Sequence, residues 1–241
     1  MPVATLADPV AALRAAGCVF AEDEARLLAE AADDGAELDA MVRRRAGGLP
    51  LEHVLGWAEF CGMRIAVEPG VFVPRRRTES LVREAADVLR PEMVVVDLCC
   101  GSGAVGAALA TLEPSIELHA ADADPAAVRC ARRNVGHVHE GDLYEALPAT
   151  LRGRVALLMV NAPYVPTREV ALLPREARLY EPRLALDGGA DGLDVLRRVI
   201  AAAPEWLAPG GRLVTEADES QAPVVSTAAA EADVAATVVV I

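Results

Sequence analysis

The spacing of apolar residues divides the chain into two regions. Within residues 9–46, apolar positions recur every three or four residues, which predicts amphipathic helices. The pair Asp8 and Pro9 is typical of a helix start, and Gly17 and Gly47 are typical of positions just after helix ends. We therefore expect a small helical module in this part of the chain.

A short stretch after the module changes to alternating spacing. Residues 57–75 alternate apolar and polar positions around Gly62, which predicts a β-hairpin. A helix is expected to follow from Thr78, whose side chain is of the kind that caps a helix start. The predicted organisation is a helical domain over residues 1–50, a hairpin linker over 51–77 and a larger domain over 78–241.

Strand and helix patterns alternate from Pro91 onward. Apolar runs such as residues 155–160 are separated by stretches with helical spacing, which predicts a parallel sheet covered by helices on both faces. Ligands bind such sheets beyond the carboxyl ends of the strands. Asp97, Asp122 and Asn161 each stand at such an end, so we expect them near one site.

A glycine-rich loop follows the first of these predicted strands. Gly101, Gly103 and Gly106 have the spacing G-x-G-x-x-G, which lets the backbone turn tightly and approach a cofactor closely. Asp122 closes the next strand, where a carboxylate can bind both hydroxyls of a ribose. Together these features fit either a dinucleotide or S-adenosylmethionine (SAM).

Asp97, at the tip of the first strand, favours SAM. A dinucleotide site places a helix amino end against a pyrophosphate, which a neighbouring carboxylate would repel. SAM carries an ammonium group and a sulfonium and has no phosphate. The alternative interpretation is that Asp97 only caps the following turn.

Two other polar segments have open interpretations. Asp142 can accept a hydrogen bond from an adenine amino group while Leu143 packs on the ring, but an ordinary Asx turn explains the same sequence equally well. The run Arg75–Arg77 can be a binding patch or simply a solvated face. His137 and His139 could share a strand face, but without a third ligand at matching spacing we expect no metal site.

Composition narrows the choice of partner and compartment. With 23 basic and 36 acidic residues the net charge is −13, which disfavours direct contact with nucleic acid or an anionic membrane and suits a cationic partner. The five cysteines include no Cys-x-x-Cys pair, and no secretory signal is evident, so we expect a reducing cytoplasm. No apolar run approaches the roughly 20 residues of a membrane span.

Six ordered motifs resemble one known family. VVDLCCGSGAVG, AADADPAAV, GDLY, VNAPYVP, EPRLALDGGADGLDVLRRVI and APGGRLVTE follow an upstream PRRRTE segment, Pro74–Glu79. Over roughly residues 50–220 this order resembles the HemK/PrmC protein-(glutamine-N5) methyltransferases. The resemblance implies an α/β fold: a Rossmann-like class I SAM-dependent methyltransferase sheet over 78–241, with the helical module and hairpin as the docking part.

The resemblance also implies the roles of individual residues. SAM would be the methyl donor and S-adenosylhomocysteine the product. Its predicted binding residues are Asp97, Cys99, Cys100, Gly101, Ser102, Gly103, Asp122, Asp142, Leu143 and Asn161. The predicted catalytic residues are Asn161, Ala162, Pro163 and Tyr164, and these four together with Arg75 would bind the substrate.

The segment Asn161–Tyr164 reads N-A-P-Y where the family reads N-P-P-Y. In the family, the Asn side-chain oxygen and the next backbone carbonyl accept hydrogen bonds from a substrate NH2 group, and the Tyr packs on the planar group. Because the second acceptor is backbone, Ala162 can supply it as well as proline can. The chain also has Cys99 where a glycine is common, and Arg76 and Arg77 where the family usually has Pro and an acid.

The expected activity is methylation of a protein glutamine, in the Gly-Gly-Gln loop of a peptide-chain release factor. Other planar NH2 groups, on a small-molecule amide or a nucleobase, are the alternatives within methyl transfer. An NAD-dependent oxidoreductase and a catalytically silent SAM-binding module are the alternatives from other classes.

Overall fold

The structure is a computed structural model that describes residues 8–241. Its α-helices are α1 (Pro9–Ala15), α2 (Ala21–Ala31), α3 (Gly35–Ala46), α4 (Leu51–Leu55), α5 (Glu79–Val88), α6 (Ala104–Leu112), α7 (Pro125–Ala131), α8 (Arg175–Tyr180), α9 (Asp194–Trp206) and α10 (Ala222–Glu231). Its strands are β1 (Trp57–Phe60), β2 (Met63–Ala66), β3 (Val94–Leu98), β4 (Glu117–Asp122), β5 (Val138–Glu140), β6 (Val155–Val160), β7 (Leu207–Ala217) and β8 (Ala236–Val240).

The amino-terminal helices form the predicted module around a core of their own. Leu13, Leu28 and Val42 are fully buried in it. The predicted start of α1 is confirmed, because the Asp8 side chain accepts a hydrogen bond from the Ala11 amide at 3.1 Å. Helix α4 adds Val54 to this core, so helical packing continues five residues into the range predicted as linker.

A buried arginine connects the module to the larger domain. The Nε of Arg45 lies 2.5 Å from Glu24 on α2, and its Nη1 lies 2.6 Å from Glu176 on α8. The Arg45 side chain is only 9% exposed, so its charge depends on these two carboxylates for compensation. Helix α8 is therefore held by the same guanidinium that holds α2 and α3 together.

The predicted hairpin is confirmed. Strands β1 and β2 pair antiparallel, and the two residues between them, Cys61 and Gly62, have φ values of 49° and 72°. Positive φ at both positions is the geometry of a tight hairpin turn. Asn134 fixes the hairpin to the larger domain by exchanging hydrogen bonds with both backbone groups of Ala66, each at 2.9 Å.

The predicted parallel sheet is also confirmed, with the strand order β5-β4-β3-β6-β7-β8. The chain leaves β3 toward one edge and returns to the other side of β3 at β6, so the strand order reverses between these two central strands. Every residue of β3 is buried, and helices cover both faces. The register pairs Leu98 with Val160, which brings the ends of β3 and β6 to the same level.

Helix α5 begins at Glu79, directly after Thr78. The predicted capping role of Thr78 is wrong: Thr78 has helical backbone angles and its side chain makes no capping hydrogen bond. The hydroxyl instead accepts a hydrogen bond from Asn161. No helix within residues 8–241 is both long and apolar enough to cross a membrane.

Candidate active site

A cavity of about 530 Å³ opens at the carboxyl ends of β3, β4 and β6. This position beside the reversal of strand order is where parallel sheets bind ligands, and the volume is in the range of small-molecule sites. All but one of the residues predicted for the site line it, namely Arg75, Asp97, Cys99, Cys100, Gly101, Ser102, Asp122, Asp142, Leu143, Asn161, Ala162, Pro163 and Tyr164.

The exception is Gly103, which supports the loop from behind. It has φ of 76°, and a Cβ there would lie 2.6 Å from the Val135 side chain. Gly101 also has positive φ, 55°, but a Cβ there would meet no atom within 4 Å. Gly103 therefore lets the loop pack against its neighbours, whereas Gly101 keeps the cavity wall open.

Asp97 is buried under the start of α6. Its Oδ2 accepts a hydrogen bond from the Gly106 amide at 2.8 Å, so the turn-capping interpretation is correct for one oxygen. Asp97 also lines the cavity, which leaves the other oxygen for a ligand. Burial is the main reason that the pKa of Asp97 rises from 3.8 to about 7; the Gly106 amide opposes this rise and the charge of Asp122 adds to it.

Asp122 is held in one orientation by backbone amides. Gly101 donates to Oδ2 at 2.8 Å and Asp124 donates to Oδ1 at 2.9 Å. Burial, the largest influence, raises the pKa of Asp122, while these amide donors lower it. A fixed carboxylate of this kind can accept two further hydrogen bonds, which fits the adjacent hydroxyls of a ribose.

Asp142 forms an ion pair that was not predicted from the sequence. Its Oδ2 accepts a hydrogen bond from Arg198 on α9 at 2.6 Å, and both residues line the cavity. Because the guanidinium engages one carboxylate oxygen, the predicted contact with an adenine amino group would use the other.

The two adjacent cysteines provide neutral lining. Cys99 has φ of 58°, a left-handed conformation that glycine adopts more easily than cysteine. Burial, assisted by Asp97 and Asp122, raises the pKa of both thiols. Cys99 and Cys100 therefore remain protonated and behave as small apolar side chains.

The segment Asn161–Tyr164 forms the opposite wall. The Nδ2 of Asn161 donates to the hydroxyl of Thr78 at 3.4 Å, and no other side-chain hydrogen bond of Asn161 occurs within residues 8–241. The Oδ1 of Asn161 and the carbonyl of Ala162 are thus available as acceptors. The Tyr164 carbonyl accepts from Gln221 at 2.8 Å, which fixes the far end of the segment.

The run Arg75–Arg77 has mixed roles. Arg75 lines the cavity, but its charge is compensated by Glu181, whose two oxygens lie 2.7 and 2.6 Å from its Nη2. Arg77 donates to the Tyr164 hydroxyl at 2.7 Å. Arg76 is largely exposed and lies 3.6 Å from Glu59, so the solvated-face interpretation is correct for this residue alone.

Four residues outside the set predicted from the sequence also line the cavity: Arg77, Thr78, Glu181 and Arg198. The segment PRRRTE was the available signal for Arg77 and Thr78. For metals, no group of three or more His, Cys, Asp or Glu side chains in the described part of the chain could hold an ion.

The cavity suits a cationic nucleoside. One side of it presents the carboxylates of the buried Asp97 and the partly buried Asp122, and the loop around Gly101 leaves room for a ligand against the backbone. Near the loop, the guanidinium of Arg198 is paired with Asp142 and does not offer a free charge to a pyrophosphate. With the parallel sheet, these features define a class I SAM-dependent methyltransferase.

Comparison with known proteins supports assignment to the methyltransferases and identifies the family within that class. Residues 62–172 match the methyltransferase small domain family. The release factor glutamine methyltransferase of Geobacter sulfurreducens is 41% identical over 76% of this chain and 65% of its own length, and that of Streptomyces coelicolor is 40% identical over 79% and 70%. The chain belongs to the release factor glutamine methyltransferase family, and it spans about two thirds of the length of these curated relatives.

A solved structure supports the fold alone. The ribosomal protein L11 methylase of Lactobacillus delbrueckii subsp. bulgaricus superposes with a TM-score of 0.50 at 17% identity, over 70% of this chain and 74% of that one.

Proposed function

We propose that this protein transfers a methyl group from SAM to the side-chain amide nitrogen of a glutamine in the Gly-Gly-Gln loop of a peptide-chain release factor. One observation carries the proposal: the amide of Asn161 lines the same cavity as Asp97 and Asp122. The names of the curated relatives support the choice of substrate.

The carboxylates would bind the cofactor and the N-A-P-Y segment would bind the substrate. Asp122 is oriented to accept hydrogen bonds from ribose hydroxyls, and ionised Asp97 would attract the ammonium group. When bound, SAM supplies an electrophilic methyl group on a positively charged sulfur. Arg75, Asp142 and Leu143 would complete the lining, with Asp142 and Leu143 on the side of the adenine.

An amide nitrogen is a poor nucleophile because its lone pair is delocalised into the carbonyl. The Oδ1 of Asn161 and the carbonyl of Ala162 would accept hydrogen bonds from its two hydrogens, while Tyr164 packs on the planar group. This arrangement aims the lone pair at the methyl carbon, and positioning alone can lower a barrier substantially. As the nitrogen–carbon bond formed, the carbon–sulfur bond would break with its electrons remaining on sulfur, and the proton released by the nitrogen would pass to water.

The net charge of the protein and the helical module beside the cavity both fit a protein substrate. A net charge of −13 favours a cationic partner, and the helical module adjoins the cavity wall through Arg45 and Glu176. We assign the protein to the cytoplasm, where release factors act and where the five free cysteines would stay reduced.

The decisive experiment is mass spectrometry of a release factor after incubation with the protein and SAM. We expect one added methyl group on the glutamine of the Gly-Gly-Gln loop, and none when that glutamine is replaced by asparagine. Tight SAM binding without transfer to any release factor would contradict the proposal. Transfer to a nucleobase would instead favour that alternative substrate.

A further inference from the structure

Thr78 has a buried hydroxyl that its own helix does not use. It precedes α5, where a threonine side chain ordinarily caps the helix, yet it makes no such bond. The residue is 2% exposed, and its oxygen accepts the 3.4 Å hydrogen bond from the Nδ2 of Asn161. The hydroxyl is therefore used at the site.

Glu216, near the end of β7, lies behind Thr78. It is 2% exposed, and one of its carboxylate oxygens, Oε2, is buried without a hydrogen-bond partner within the described residues. Its carboxylate interacts with the hydroxyls of Thr78 and Tyr164 and with the charge of Arg77. Burial is the largest influence and raises the pKa of Glu216 above its ordinary value, while the hydroxyls of Thr78 and Tyr164 and the charge of Arg77 oppose this rise.

The direction of these hydrogen bonds follows from what each group can do. When Glu216 is ionised its carboxylate can only accept, so the Thr78 hydroxyl would donate its proton to it. The Thr78 oxygen can then only accept from Asn161, and a carboxamide can satisfy it only with its NH2 side. The two ends of the Asn161 amide have nearly the same shape, so this polarity decides which end faces the cavity.

We propose that Thr78, backed by Glu216, is a positioning residue that holds the Asn161 amide with Oδ1 toward the substrate. Neither residue needs to touch the reacting atoms. The inference rests on the proposed function in one respect, because Oδ1 must face the cavity in order to accept a hydrogen bond from a substrate NH2 group.

The same carboxylate also serves the other end of the N-A-P-Y segment. Arg77 donates to the Tyr164 oxygen at 2.7 Å, which leaves the Tyr164 proton for Glu216. One buried carboxylate would thus orient the Thr78 hydroxyl, which contacts Asn161, and also the hydroxyl of Tyr164, the aromatic residue expected to pack on the substrate amide.

The test compares Thr78→Val, which removes the hydroxyl at nearly constant shape, with Thr78→Ser, which keeps it. We expect Thr78→Val to lower kcat by about tenfold to a hundredfold, the scale of lost positioning, with the Kd for SAM within about twofold of wild type. Thr78→Ser should recover most of the rate. A purely structural role would lower the melting temperature without this separation of kcat from Kd.

A second readout works whatever the substrate is. The side-chain NH2 signals of Asn161 in a 15N–1H spectrum, assigned by their loss in Asn161→Ala, should shift in Thr78→Val and stay close to wild type in Thr78→Ser. If Thr78→Val does not fold, Glu216→Gln should produce a shift of the same signals, because a neutral amide no longer dictates the direction of the Thr78 proton. Unshifted Asn161 signals, or unchanged kcat in Thr78→Val, would overturn the inference. Shifted signals in a protein that methylates no release factor would uphold the inference and reject the proposed function.

Discussion

The two walls of the cavity are built in different ways. On the cofactor wall, Asp97 and Asp122 are oriented by backbone amides of the glycine loop and of the turn after β4. On the substrate wall, Asn161 and Tyr164 depend on the side chains of Thr78 and Arg77, more than 80 residues earlier in the chain. Backbone turns fix the first wall, and the assembly of separate elements fixes the second. Cofactor binding and substrate alignment should therefore be separable by mutation.

The largest effect is expected on the substrate wall. Asn161→Ala removes one of the two acceptors that would align the substrate nitrogen, so kcat should fall by at least about a hundredfold. The Kd for SAM, measured by calorimetry, should stay nearly unchanged because Asp97 and Asp122 remain in place. Unchanged turnover would remove the role assigned to Asn161.

The opposite pattern is expected for Asp122→Asn on the cofactor wall. Hydrogen bonds to a charged group contribute about 1.5–3 kcal/mol, so the Kd for SAM should rise by roughly tenfold to a hundredfold. At saturating SAM, kcat should stay within a few-fold of wild type. A loss of kcat equal to that of Asn161→Ala would show that the two walls act as one unit.

The dependence of SAM affinity on pH should come from the cofactor wall. With the pKa of Asp97 raised to about 7, the carboxyl is mostly protonated at pH 6 in the free protein, and binding of a cation requires that proton to leave. Affinity should therefore rise with pH, be about tenfold weaker at pH 6 than at pH 8, and level off above the pKa. Calorimetry in buffers of different ionisation enthalpy should detect the released proton near pH 6.

Asp97→Asn is the control for this prediction. It should bind SAM more weakly at every pH and lose most of the pH dependence. A wild-type affinity that is constant from pH 6 to pH 8 would contradict the expected coupling.

The smallest difference is expected between two alanine variants within the glycine loop. Gly101→Ala and Gly103→Ala each place a side chain at positive φ, at a cost of about 1–2 kcal/mol. Gly103→Ala should be the less stable of the two in thermal unfolding, because its Cβ would also overlap Val135. Gly101→Ala should weaken SAM binding by a few-fold more than Gly103→Ala does, because Gly101 lines the cavity. The reverse order in either measurement would contradict the roles assigned to the two glycines.

The cofactor wall could be predicted from the sequence because residues close together in the chain determine its geometry. The loop from Asp97 to Gly106 lies within ten consecutive residues, and a strand run, a turn and a helix start in that order determine its geometry. Asn161 could be placed for the same reason, since it directly follows the apolar run of β6.

The contacts behind the substrate wall could not be predicted in this way. Thr78 looks like an ordinary helix cap, and nothing in the spacing of β7 reveals that Glu216 faces it. Strand β7 begins at Leu207, but its pairing with β6 is interrupted between Leu207 and Arg212. Packing determines that region, because a Cβ on Gly211 would lie 2.6 Å from the Val155 carbonyl.

The shared ion pair of Arg45 makes the helical module part of the catalytic architecture. A shortened protein that starts at the hairpin would lack this guanidinium, and Glu176 would lose the anchor that holds α8 at the cavity rim. In such a shortened protein α8 would therefore be less firmly held at the entrance of the cavity, even though every residue assigned to methyl transfer would still be present.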